Sequence, residues 1–286
     1  MKFFLTFLFA LLSMCINAQN LEKLSKEVTE EGITLYRSEM ASWYGTDVVK
    51  ENYKNMENIE GYFSYLDDVP KCIFFSKQNK VVATVSFPTN YNPANAKVDL
   101  SERDFTPVEM DYFTIRQKAL TRINNDTIFN RYDNTNFNLV PIIKKNSKKV
   151  YVLTGTSVNN VVIFGNDYLL TFNNKNEVEN VEKLHKGIIV HNIGDSSKEA
   201  DVSGMHSHVL DNWLEITPTD ICTLMLYQQL TGWETYTTIS KKYASIWNNK
   251  SNRAFIMKTE NFKKIANYQL EKNKKLENKN SQDSNK

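Results

Sequence analysis

Apolar and polar residues recur along the chain with two different periodicities. From residue 21 to 57, apolar side chains recur every three or four positions among many charged ones, which predicts a long helix that Gly32 and Gly45 interrupt. From residue 61 to 100, four short apolar runs are separated by turn residues. This second pattern predicts an antiparallel meander of four strands.

A second helix and a polar loop follow the meander. Thr106 and Pro107 provide an N-cap and a first-position proline, and the helix that they start is expected to end near Ile123. The loop from 124 to 138 is rich in Asn and Asp. Because domain boundaries commonly fall in polar linkers, we expect one near residue 140.

The rest of the chain is again rich in predicted strands, with a helix expected at 218–230 and another from Glu260 onward. The strands are expected at 150–153, 161–164, 168–172, 188–191, 205–209, 236–240, 244–247 and 255–258. The sequence therefore predicts an α+β protein. It would have an N-terminal α+β domain at 19–140, a second, strand-rich domain at 141–271, and a disordered polar tail at 272–286.

The first eighteen residues have the pattern of a cleavable export signal. Lys2 precedes an apolar run from 3 to 14, and Ala18 offers a small residue for cleavage, so we expect 1–18 to be removed. The run is shorter than the roughly 20 residues that a stable membrane anchor needs. The expected location is periplasmic or secreted. An outer-envelope lipoprotein attached through Cys15 is the alternative, which the bulky Met14 disfavours.

Charge and cysteine content narrow the possibilities. The chain carries 35 basic and 33 acidic residues, a formal net charge of +2, so it has no strong field to attract nucleic acid or an anionic membrane. Cys72 and Cys222 both lie in apolar runs. Buried free thiols are expected there, and a disulfide between them is the alternative in an oxidising compartment.

One stretch carries recognisable chemistry. His206 and His208 lie two residues apart on a predicted strand, so both imidazoles project from the same face with Cα atoms about 6.6 Å apart. Thr217 and Pro218 start the next helix as N-cap and first residue, which places Asp220 in the first turn. Two nitrogens and one oxygen with an open fourth position are typical of a catalytic zinc site.

These residues resemble the signature of the JAB1/MPN (JAMM) metalloproteases, in which His-x-His is followed by seven residues and Ser-x-x-Asp. The resemblance covers residues 148 to 260, and it implies a mixed sheet flanked by helices for the domain at 141–271. It implies that His206, His208 and Asp220 bind zinc. It also implies that Thr217 takes the position of the serine that supports the oxyanion, and is therefore the catalytic candidate.

The chain departs from that signature in two ways. The spacer between His208 and Thr217 has eight residues, and Val209 stands where the family usually has proline. The family's catalytic glutamate lies upstream, where this chain has Asn160. An amide cannot accept a proton from a metal-bound water. The other candidate bases are the glutamates between 150 and 205, which lie in polar turns: Glu177, Glu179, Glu182 and Glu199.

The two remaining histidines and two acidic residues of the spacer have simpler expected roles. We expect His185 and His191 to be exposed or hydrogen-bonded, with a fourth-ligand role as the alternative. Asp211 and Glu215 are expected to solvate their loop rather than to reach the metal's water.

Two functions remain open at this point. The first is an exported zinc hydrolase, a peptidase in view of the resemblance, acting on a protein or peptide. The second is a non-catalytic exported module that binds metal or a protein partner through a degenerate site. A carboxylate facing the open metal position would favour the enzyme.

Overall fold

The computed structural model describes residues 2–145, 147–193 and 203–283. Helices make up 36% and strands 35% of the chain, which confirms the α+β class. The helices are α1 Lys2–Asn52, α2 Pro107–Asn125, α3 Pro218–Leu226, α4 Gln228–Thr231 and α5 Thr259–Asp283, with single 3-10 turns at Met56–Asn58 and Pro93–Asn95. The strands are β1 Ile59–Leu66, β2 Pro70–Ser76, β3 Val81–Ser86, β4 Lys97–Asp99, β5 Thr135–Lys144, β6 Ser147–Thr156, β7 Val161–Gly165, β8 Tyr168–Phe172, β9 Val178–Lys183, β10 Ile188–Asn192, β11 Ser203–Ser207, β12 Thr235–Ile239, β13 Tyr243–Asn248 and β14 Arg253–Lys258.

The described strands form four sheets. The first is the predicted antiparallel meander, in the order β1-β2-β3-β4. The second has the order β5-β6-β8-β9, and β7 pairs with β10 beside it. The remaining sheet, β11-β12-β13-β14, is mixed, because β11 runs parallel to β12 while the other pairs are antiparallel. The strands of residues 141–271 thus belong to three sheets rather than to the single mixed sheet that the resemblance implied.

Helix α1 is continuous through both glycines that were expected to interrupt it. A Cβ on Gly32 would lie 2.6 Å from the Cβ of Ile221 in α3, and one on Gly45 would lie 2.8 Å from the Cβ of Cys72 in β2. Both glycines therefore allow close packing rather than breaking the helix. The prediction of an interruption was wrong because the cost of glycine in a helix is offset by tertiary contact.

The same helix contributes to hydrophobic clusters in both halves of the chain. Val28 packs in a cluster with Trp247, and Ala41 packs in one with Cys72. Leu35 belongs to a third cluster that contains Val140 of β5. The boundary expected near residue 140 thus falls inside a buried strand, and the two halves share core residues.

Three further segments differ from expectation. β5 begins at Thr135, inside the expected loop, because its asparagines alternate with apolar residues and the strand is only half-buried at that end. β9 was not expected, since its sequence Val178–Lys183 is mostly polar. Helix α5 continues to Asp283, through most of the segment predicted to be disordered, where Lys, Glu and Leu are good helix formers.

Two other features concern the cysteines and the membrane. Cys72 and Cys222 are buried free thiols, as expected. Within the described ranges, no helix is both long enough and apolar enough to cross a bilayer.

Candidate metal centre

Four side chains from three parts of the fold meet at one point. His206 lies on β11, His208 is the residue directly after that strand, and Asp220 is the third residue of α3. The fourth is His185, two residues beyond the end of β9. One nitrogen or carboxylate oxygen from each lies within 4.8 Å of those of the others, and all four residues are buried.

Asp220 is held by the first turn of its own helix. The Thr217 amide donates to Asp220 Oδ2 at 2.8 Å, while the Asp220 amide donates to Thr217 Oγ1 at 3.1 Å, so the two residues form a capping box. This pair of bonds fixes the carboxylate against the end of β11. The predicted N-cap, first-position proline and first-turn aspartate are confirmed.

The distances between donor atoms suit a common cation. The Nε2 atoms of His206 and His208 are 2.8 Å apart. Asp220 Oδ1 lies 3.5 Å from His206 Nε2, and its Oδ2 lies 3.2 Å from His208 Nε2. Four atoms bound to one zinc at 2.0–2.1 Å would stand about 3.4 Å apart in a tetrahedron, which is close to the two nitrogen–oxygen separations and longer than the nitrogen–nitrogen one.

His185 is the residue that the sequence pattern did not place. Its Nε2 lies 3.0 Å from Asp220 Oδ1, and its ring is only 5% exposed. Of the two expected states, exposed or hydrogen-bonded, the structure shows the second, and the same contact places His185 among the four candidate ligands, which was its alternative role. No local signal marks it, because its loop joins β9 to β10 and only the tertiary fold brings it to β11.

The other ring nitrogen of each histidine faces a second polar group. His208 Nδ1 lies 2.6 Å from the backbone carbonyl of Glu215. His206 Nδ1 lies 3.0 Å from the Tyr236 hydroxyl. His185 Nδ1 lies 3.7 Å from a carboxylate oxygen of Asp167, slightly beyond a hydrogen bond. Such partners orient metal-binding imidazoles and raise their basicity.

Burial and charge set the protonation of the cluster. Burial acts to raise the pKa of Asp220, but the surrounding imidazoles outweigh it and hold that pKa well below its usual range. Burial lowers the pKa of His206 to about 3, so its imidazole is neutral. Burial also opposes the charged form of His185, yet the Asp220 carboxylate raises the pKa of that imidazole overall. The site thus presents an ionised carboxylate and at least one neutral imidazole, as metal binding requires.

Thr217 is fully buried, and its hydroxyl faces Asp220. Its Oγ1 donates to Asp220 Oδ2 at 2.8 Å and accepts from the Asp220 amide. The Thr219 hydroxyl lies 3.0 Å away on the other side. The hydroxyl of Thr217 is therefore engaged with a ligand, and the geometry describes a positioning residue.

The candidate bases lie elsewhere. Glu177 pairs with Lys118 at the surface, Glu182 accepts from Asn180, and Glu179 is exposed. Asn160 occupies a turn before β7, with a positive φ of 57°. Among the described residues, none of these joins the four-residue cluster. Glu199 lies outside the described residues.

Neither acidic residue of the spacer belongs to the four-residue cluster. Asp211 forms an exposed ion pair with Lys241, and Glu215 contributes its backbone carbonyl rather than its carboxylate. The expectation that Asp211 solvates its loop therefore agrees with the geometry.

Comparison with known proteins finds no relative. No protein-family model matches the chain, and no curated protein or solved structure matches it either. The resemblance to the JAB1/MPN signature therefore stays a prediction.

Proposed function

We propose that this chain is an exported metal-binding protein that holds one zinc ion in a closed site made of His185, His206, His208 and Asp220. The observation that carries the proposal is the buried cluster of three imidazole nitrogens and one carboxylate. Three imidazoles and one carboxylate that face one another at short range are ligand types that a zinc ion takes in proteins.

The donor set favours zinc over the alkaline-earth cations. Calcium and magnesium take oxygen ligands, and a site with three nitrogens offers only one residue that suits them. Imidazole suits zinc, copper, iron and nickel. Four N and O donors arranged around one centre favour tetrahedral zinc among these.

The number of protein ligands favours a structural site over a catalytic one. A catalytic zinc has three protein ligands and keeps its fourth position for water or substrate. Here His185 is placed to fill that position. A closed site would join the loop after β9, strand β11 and helix α3, which are distant in sequence, and would stabilise their arrangement.

The hydrolase is the second candidate, and one observation favours it. A pocket of about 260 Å³ borders the cluster and is lined by His185, His208 and the Ser207 backbone region, which gives a small molecule or peptide a route to the metal. The reaction also needs an open coordination position, a general base and a free oxyanion donor. The positions of His185 and of the Thr217 hydroxyl support the closed site better.

Cobalt(II) substitution separates the two candidates. We expect the metal-free protein to bind one Co²⁺ with the intense visible absorption of a tetrahedral ion. His206→Ala should lose most of the affinity, and His185→Ala should keep a weaker site whose spectrum changes as water enters. If His185→Ala has the same spectrum as the wild type, His185 is not a ligand. The open, hydrolase-type site would then replace the closed one.

A further inference from the structure

A line of three polar groups runs from the candidate metal site to the edge of the fold. His206 Nδ1 lies 3.0 Å from the Tyr236 hydroxyl, and that hydroxyl lies 2.9 Å from His191 Nε2. Tyr236 is fully buried, whereas His191 on β10 is partly exposed. The fourth histidine of the chain is thereby connected to the metal site without belonging to it.

The tyrosine is placed by close packing. Gly204 pairs with Tyr236 across β11 and β12, and a Cβ at position 204 would lie 2.5 Å from the tyrosine ring. Phe164 stacks on the same ring with centroids 4.8 Å apart. The ring can therefore hold its hydroxyl between the two histidines with little freedom.

In the metal-free protein, the direction of these hydrogen bonds is set by Glu215. Its carbonyl can only accept, so a His208 ring with one hydrogen carries that hydrogen on Nδ1 and presents a lone pair at Nε2. The contact of 2.8 Å between the two Nε2 atoms then requires the hydrogen of His206 to be on Nε2. His206 Nδ1 accepts from the tyrosine hydroxyl, whose oxygen accepts from His191.

A bound metal requires the opposite direction. The metal takes the lone pair of His206 Nε2, so the hydrogen of that ring must lie on Nδ1 and donate to Tyr236 Oη. A tyrosine hydroxyl keeps its proton at neutral pH, so it must donate to His191 Nε2. His191 must then present a lone pair at Nε2 and carry its hydrogen on Nδ1.

We infer that His191 and Tyr236 are positioning residues of the metal site, and that metal binding reverses the hydrogen-bond chain and switches the tautomer of His191 at the edge of the fold. His206 releases its Nε2 proton and gains one on Nδ1 from the tyrosine. The tyrosine takes the Nε2 proton of His191, which gains one on Nδ1 from solvent. Each imidazole ring ends with one nitrogen-bound hydrogen and the tyrosine with its hydroxyl hydrogen, so the charge of these three residues is unchanged. This inference rests on the proposed metal-binding function.

His191→Phe gives a prediction that a purely structural role would not. Phenylalanine cannot accept the tyrosine proton, so the metal-bound direction leaves the hydrogen of a buried hydroxyl without an acceptor. In the metal-free direction that hydrogen still bonds His206, and only the bond donated by His191 is lost. We expect zinc affinity to fall by about 10- to 100-fold, with only a small loss of stability in the metal-free protein. His191→Gln, whose amide oxygen can accept, should restore most of the affinity.

The tautomers can be read directly. Nitrogen-15 NMR of the metal-free wild type should show His191 with its hydrogen on Nε2, and addition of zinc sulfate should move that hydrogen to Nδ1. Affinities come from competition with a chelator. Tyr151→Phe serves as the control, because it removes a buried tyrosine hydroxyl that bonds Glu31, away from the site.

The outcomes distinguish two failures. If wild type binds zinc but His191 keeps one tautomer, or if His191→Phe binds zinc as tightly as wild type, the chain inference is overturned while metal binding stands. If wild type binds no zinc after dialysis, both the metal-binding function and the inference fail.

Discussion

Asp220 closes the first turn of α3 and faces three imidazoles at once. Both roles follow from its place three residues after Thr217, since the capping box turns its carboxylate back toward the preceding loop. The buried charge is tolerated because hydrogen bonds and His185 compensate it.

The carboxyl of Glu39 in α1, which is half-buried, gives a pH prediction away from the metal site. Partial burial raises its pKa from 4.5 to about 7, although the Asn138 amide donates to it. Between these values the folded protein keeps a proton that the unfolded chain loses, so this group makes the free energy of unfolding fall as pH rises from 4.5 to 7. The loss is at most about 3.4 kcal/mol, and contact with solvent makes it smaller.

The neutral variant Glu39→Gln removes this dependence. We expect a flatter profile of unfolding free energy between pH 4.5 and 7, and a variant more stable than wild type above pH 7. Urea unfolding at several pH values measures it, with the exposed Glu27→Gln as control. A variant whose profile parallels that of wild type would contradict the buried-carboxyl account.

The sequence located three of the four candidate ligands, for reasons of distance along the chain. His206 and His208 share a strand face, and Asp220 follows from helix capping, so local rules suffice for all three. His185 reaches the site only because the loop between β9 and β10 packs against β11 in the folded protein. No local sequence pattern encodes that contact. The same limit applies to Tyr236, whose role depends on β12 lying parallel to β11.

At the scale of elements, packing overrode local preference most clearly in α1. Glycine normally weakens a helix, yet α1 uses Gly32 to approach α3 and so supports the helix that carries Asp220. The strands with clear alternation were found to within a few residues. β5 and β9 were missed because Asn and Glu occupy their solvent-facing positions.

Gly32→Ala tests the packing of α1 against α3. The new methyl group would lie 2.6 Å from Ile221, a clash that commonly costs about 1–3 kcal/mol, while alanine gains about 1 kcal/mol in helix propensity. We expect a net loss of unfolding free energy in chemical denaturation. Lys26→Ala, exposed on the same helix, should be near neutral. A stabilised Gly32→Ala would mean that the two helices are not in close contact.

At the scale of the whole molecule, α1 joins the two halves. It packs against α3 and β14 of the second half and against β1 and β2 of the first. Partly buried ion pairs join Glu31 of the same helix to Lys144 and Lys149 of the sheet that begins with β5. The polar loop that suggested two domains is a surface connection between α2 and β5.

A fragment of residues 141–286 should therefore not fold alone. It lacks Val28 and Leu35, and its first strand is cut inside a buried cluster. We expect no cooperative thermal transition by circular dichroism, whereas a chain of residues 19–286 should show one. Cooperative unfolding of the fragment would restore the two-domain organisation predicted from the sequence.

The metal content of the purified full chain tests the central claim most directly. After dialysis against zinc and then against metal-free buffer, elemental analysis should find about one zinc per chain in the wild type and almost none in His206→Ala. Wild-type protein that retains no zinc, or a His206→Ala variant that retains as much as wild type, would contradict the proposal that His185, His206, His208 and Asp220 form a metal site.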